Sequence, residues 1–136
     1  MADAVTSQTI LDGERLFIGK FTNVSDGTGE TAVVKINVSS LSPSAFGFAC
    51  NGVKINKIWA QTLGMGVDIL WDATTDVVCE TIPSDVMYHM CYDSFGGIPN
   101  NSGAGKNGNV LFSTVGAANG DRYTIIIEAI KTYASA

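Results

Sequence analysis

Charge is scarce in this sequence. Of its 136 residues only 15% are Asp, Glu, Lys or Arg, against about 25% in an average soluble domain. Ser, Thr, Asn and Gly must therefore cover much of the surface, as in a chain that is partly covered in a stable assembly. Cations are the scarcer sign: eight Lys and Arg against thirteen Asp and Glu give a net charge of −5. They are scattered along the chain and argue against nucleic acid as a direct partner. Long hydrophobic runs are missing too. No stretch approaches the ~20 apolar residues that span a bilayer, and "MADAVTSQTI" lacks the basic-then-apolar order of a secretory signal. Neither a membrane nor export is expected, so the sequons at Asn23, Asn37 and Asn100 imply no glycan.

The residues that carry chemistry are equally few. His89 is the one histidine, so any Ser- or Cys-based triad would have to use it. Cys91, two residues further along a strand, shares its face and cannot sit opposite it. Cys50, Cys79 and Cys91 are odd in number and include no C-x-x-C pair, which predicts reduced, buried thiols. A metal at His89 and Cys91 would need two more ligands; Cys79 could be one in principle, but no spacing supports a site. Asp72 and Asp76 belong to a turn, where Asp is expected for its bonds to the backbone. "DGTGE", 26–30, lacks the spaced acids of a calcium loop. No catalytic residue, cofactor or metal is expected.

What the sequence does have is alternation with a period of two. In "TAVVKINVS", Ala32, Val34, Ile36 and Val38 share one face and Thr31, Lys35 and Asn37 the other, the pattern of a half-buried strand. Asp26-Gly27 reads as the turn of a hairpin between 14–22 and 31–39. Asn51-Gly52 reads as a second two-residue turn, between "FGFAC" and "VKINKIWA". "VDILW" and "VVCETI", joined by "DATTD", form a third hairpin that Pro83 closes. "VMYHMCY" starts a strand near residue 86, a break of some fifteen residues follows, and "VLFSTV" and "DRYTIIIEAIKTYA" come after it, separated by a loop holding Asn119-Gly120. β-Branched and aromatic residues mark 122–133 as a strand with both sides buried. About nine short strands and no helix predict an all-β, antiparallel β-sandwich, with a jelly roll as the favoured version. Residues 1–8 read as a flexible N-terminal arm and 9–136 as a single sandwich domain.

"SGAGKNGN", 102–109, contains the spacing of a dinucleotide fingerprint, but such glycines must lead into a helix whose N-terminus meets the phosphates. "NVLFSTVG" alternates as a strand instead. The phosphate-loop reading needs Gly where Asn100 stands and Ser or Thr where Asn107 stands. The run is read as a free loop. Trp59 and Trp71 end neighbouring strands and read as core caps, with a carbohydrate or peptide groove as the alternative.

"SDGTGE" before an alternating strand, "KIW", "GMGVDILWDATTD" and "SFGGIPNNSGAGKNGNVLFSTVGAANGDRYTIIIE" resemble phrases of small virion structural proteins of tailed bacteriophages, in the same order over about 24–130. The resemblance implies a non-enzymatic capsid decoration or cement protein on the outer surface of the head, made in the host cytoplasm. Its implied partners are the major capsid protein and sister subunits, in a homodimer or homotrimer. "DVMYHMCYDS" departs from the pattern in its Met, His and Cys content. The 94–109 loop, with Asn100, Asn101, Lys106 and Asn107, and the 1–8 arm are expected to make contacts, with Tyr88, His89 and Tyr92 near an interface. A tail or fibre module binding a host-surface glycan, or another tail protein, is the alternative.

Overall fold

The computed structural model describes residues 3–133. Nine strands follow one another: β1 Ala4–Asp12, β2 Leu16–Asp26, β3 Val33–Ile36, β4 Cys50–Leu63, β5 Gly66–Trp71, β6 Val77–Ile82, β7 Met87–Cys91, β8 Val110–Val115 and β9 Asn119–Tyr133. Single 3-10 turns at Val38–Ser40 and Asp93–Phe95 are the helical elements among the described residues. A five-stranded sheet in the order β1-β2-β9-β4-β7 faces a four-stranded sheet in the order β3-β8-β5-β6. Every pairing is antiparallel. The molecule is the β-sandwich expected. Its pairing is nested: β2 lies against β9, β3 against β8, β4 against β7 and β5 against β6.

The period of two builds the core. Along β2, Phe17, Phe21 and Asn23 turn inward, and along β9 Tyr123, Ile125, Ile127 and Ala129 do so. The opposite sheet answers with Val67, Ile69, Trp71, Val110 and Phe112. Phe112 meets Phe21 and Tyr123 edge-on, at centroid separations of 5.5 and 5.8 Å, the arrangement that ring quadrupoles favour.

Of the three expected hairpins, only β5–β6 forms. β2 and β3 belong to different sheets, so Asp26-Gly27 starts a crossing between layers. Asn51-Gly52 lies inside β4, where the ladder shifts register between Cys50 and Gly52. The same tolerance of unusual backbone that suits a turn suits a bulge. Residues 4–8, expected within a flexible arm, are the first half of β1 and pair with 20–24 of β2; residues 1 and 2 lie outside the described residues. Asn119-Gly120 opens β9, and Ile126 and Ile130 on its outward face are only half-buried. Cys50 is buried and Cys79 half-buried as free thiols, but Cys91 is exposed.

Candidate interaction surface

Of the expected interface residues, His89 stands exposed on the outward face of the five-stranded sheet. Lys20 on β2 is in register with Ile126 on β9, Ile126 with Trp59 on β4, and Trp59 with His89 on β7. The Trp59 and His89 rings stack 5.3 Å apart at 9°, as close side chains on paired strands can. Met87, 84% exposed, stands beside them. Together with Gln61 these residues line a depression of about 350 Å³. A second depression, of about 410 Å³, continues past Gln61 and Met87 to Leu63, Asp85 and Arg122. Leu16, paired with Ile130, adds apolar surface to the same face.

β7 sorts the three aromatic candidates by alternation. Met87, His89 and Cys91 point out, while Tyr88 packs against the core. Tyr92 is the correction: it is buried, and its hydroxyl donates to Glu80 Oε2 at 2.5 Å. Burial, and then the hydrogen bond to Glu80, push that hydroxyl's pKa up, so it stays protonated. Burial and the Glu80 charge push the Cys79 thiol up to about 12, which leaves it a poor nucleophile. Trp71 is fully buried, and its Nε1 has no hydrogen-bond partner. Of the two candidate groove tryptophans only Trp59 reaches the surface.

The long connection before β8 is not a free loop. Ile98 exchanges backbone hydrogen bonds with Ile55. Asn100 Oδ1 accepts from the Ser102 amide and hydroxyl at 3.0 and 2.6 Å. Asn107 Nδ2 donates to Asp72 at 2.9 Å, and the Thr74 amide donates to the Ala104 carbonyl at 3.2 Å. The run therefore lies on the β5–β6 turn. Gly105, at φ +78°, could not carry a Cβ, which would lie 2.1 Å from Thr74 Oγ1. At Gly108, φ +87°, it would lie 2.3 Å from the Asn51 carbonyl oxygen. These glycines serve close backbone approach. Asn101 and Lys106 are exposed. The loop candidates and the β7 candidates thus have separate settings, one on the β5–β6 turn and one on the sheet face.

Two buried lysines went unnoticed in the sequence. Alternation puts Lys35 with Thr31 and Asn37 on the polar face of its strand, yet only 3% of its side chain is exposed, 2.6 Å from Glu30. Lys131, whose side chain is fully buried, bonds to the Asp12 carboxylate and to the Gly13 and Ser42 carbonyls. A lone Lys in an alternating strand carries no local mark of burial: Lys35 depends on Glu30 folding back from the crossing just before its own strand, and Lys131 on Asp12, Gly13 and Ser42 from far earlier in the chain. Among the described residues no group of three or more His, Cys, Asp or Glu is placed to hold a metal ion. No helix among them is long and apolar enough to cross a membrane. No protein-family model matches the chain, and no curated protein matches it either.

Proposed function

We propose that this chain is a structural protein of a bacteriophage virion, a non-enzymatic capsid decoration or cement protein that binds the outer surface of the head and stabilises its shell. One observation carries the reading: the outward face of the five-stranded sheet places Leu16, Ile18, Trp59, Ile126 and Ile130 where a water-facing sheet would alternate to polar residues. Such a face is one that another protein covers. The other sheet also has an outward apolar row, in which Val34, Leu111, Leu70 and Val78 are in register across all four strands; Leu111 is already buried within the chain, while Val34 and Val78 are exposed and Leu70 half-buried. Two apolar faces on opposite layers suit a protein that bridges neighbours. The resemblance over 24–130 gives the partners their identity, the major capsid protein and sister copies of this chain. The nested pairing of β2–β9, β3–β8, β4–β7 and β5–β6 supports the jelly-roll version of the sandwich, an architecture of viral capsid and lectin domains. Binding that favours the assembled state stabilises it by mass action.

The test is the copy number of the chain in purified virions, by quantitative mass spectrometry scaled to the major capsid protein. One copy per one to three capsid subunits is expected. A few copies per particle would move the protein to the neck, tail or fibres, and absence from the particle would overturn the virion reading. A glycan-binding tail module is the second reading. The half-exposed Trp59, bordered by the polar Lys20, Gln61 and Thr124 in its depression, favours it. Retention on a glycan array that is lost in Trp59→Ala would select it.

A further inference from the structure

Glu30 sits on the crossing from β2 to β3 and holds an amine and an amide at once. Its Oε2 is 2.6 Å from Lys35 Nζ, and the two side chains are 5% and 3% exposed. Its Oε1 accepts from Asn23 Nδ2 at 2.9 Å and from the Tyr123 hydroxyl at 2.5 Å. Asn23 is 1% exposed, and its Oδ1 is buried with no hydrogen-bond partner. The surroundings are aromatic: Lys35 Nζ lies 5.9 Å from the centre of the Phe112 ring, which packs on Phe21 and Tyr123.

The carboxylate is also firmly placed. The Glu30 amide donates to Thr114 Oγ1 at 2.8 Å, and its carbonyl accepts from the Thr114 amide at 3.0 Å. Asp3 Oδ1 accepts from the Ser25 hydroxyl and the Asp26 and Gly29 amides, and Asp3 Oδ2 from Asn23 Nδ2 at 3.0 Å. Between Glu30 and Lys35, Ala32 is held at φ +49°, a backbone state that a non-glycine residue keeps only where its surroundings impose it. A buried ion pair gives little net stability for its desolvation, and an orphaned amide oxygen adds a further cost. Buried polar groups that add so little stability call for a chemical role.

We propose that Lys35 and Asn23 form an intramolecular isopeptide bond, with Glu30 as the catalytic proton carrier. The Lys35 ammonium gives a proton to Glu30 across their contact, and the neutral Nζ attacks Cγ of Asn23. The Nζ–Cγ bond forms as the Cγ–Nδ2 bond breaks. Glu30 passes its proton to the departing Nδ2, and the second proton released by Nζ leaves with it, so that ammonium departs and Glu30 is again a carboxylate. No oxidant, cofactor or second substrate enters the balance. A desolvated acid–base group in contact with both reacting side chains supplies the acceleration. The product joins β2 of one sheet to β3 of the other, closing the crossing between layers with a covalent link.

The experiment is the intact mass of the full chain, folded and then denatured, followed by digestion with a protease that cuts after Glu. The wild type is expected to be lighter than its sequence by one ammonia, about 17 Da. The segments on either side of the cut after Glu30 should stay joined through Asn23 and Lys35. Lys35→Met and Asn23→Ala chains are expected at their full sequence masses, and Glu30→Gln, folded by circular dichroism, is expected to keep its ammonia and to lack the joined product. A folded wild type at full mass overturns the proposal, even if every variant fails to fold. Loss of ammonia with the two segments separating overturns it as well, because the ammonia would then have left through cyclic imide formation at an asparagine and not through the cross-link.

Discussion

Lys131 and Asp12 illustrate how much one buried charge can depend on one partner. Lys131 has its ammonium fully buried against the Asp12 carboxylate and two backbone carbonyls. Asp12→Ala would leave that cation without a counter-charge, a loss of about 3 kcal/mol, whereas Lys131→Met removes the charge and fills the space, at about 1 kcal/mol or less. Urea denaturation of the two variants should rank them in that order. The same pair gives stability a pH dependence. Burial raises the Asp12 pKa, but hydrogen bonds from Lys131 and Ser42 outweigh it and hold the carboxyl below its ordinary 3.8. Asp3 is lowered too: burial raises its pKa, and the bonds from Asn23, Asp26 and Gly29 overcome that. A group with a depressed folded pKa binds its proton first in the unfolded chain. Its contribution is therefore complete above 3.8 and is lost as the pH falls from there towards the folded value. Urea midpoints of the wild type should drop across that acid window, and Asp12→Asn should flatten the drop.

At the scale of elements, strands were legible where a residue pattern alone decides them. Alternation in "VDILW" and "VVCETI" with a polar turn between gave β5 and β6, because a short connection leaves adjacent strands little choice but to pair. Partners further away were not legible: nothing in residues 14–22 says that they pair with β9, more than a hundred residues on, and not with the next strand. Asn51-Gly52 fits a turn and a bulge equally well, and the continuous inward set Val53, Ile55 and Ile58 settles it as a bulge in β4. The face of β7 was readable, since His89 and Cys91 do share it, but the burial of Tyr92 depends on Glu80, which lies on the other sheet. β1 was missed because its residues are exposed and mostly polar, which reads as an arm. Deleting residues 1–8 tests the difference. A strand's loss removes its ladder to β2 and the Asp3 bonds, and should lower the melting temperature by roughly 4 °C or more; an arm's loss would leave it unchanged. Gly105→Ala makes a similar point for the long loop. With φ at +78° and Thr74 in the way, it should destabilise by about 1–3 kcal/mol, readable as a shifted urea midpoint.

For the whole molecule, the sandwich has more apolar outward surface than it can use alone. Each sheet satisfies its inner face against the other, and both outer faces keep apolar side chains that are exposed or half-buried. On the five-stranded sheet that surface is centred on Trp59, His89, Met87 and Ile126. None of these side chains holds the core together, so a charge placed there should be tolerated by the fold and opposed only by a partner. Trp59→Glu and Met87→Glu are expected to melt within about 2 °C of the wild type, as surface substitutions do. Their retention on purified particles should fall at least tenfold, which is the loss of about 1.4 kcal/mol of binding. Cys91 on the same face provides an independent readout, because it is the exposed thiol while Cys50 is buried and Cys79 is half-buried. A maleimide should label Cys91 in the free chain and be blocked on the particle. Undiminished labelling on the particle, together with unchanged retention of both variants, would move the docking surface to the opposite sheet, where Val34, Leu70 and Val78 would be the residues to charge next.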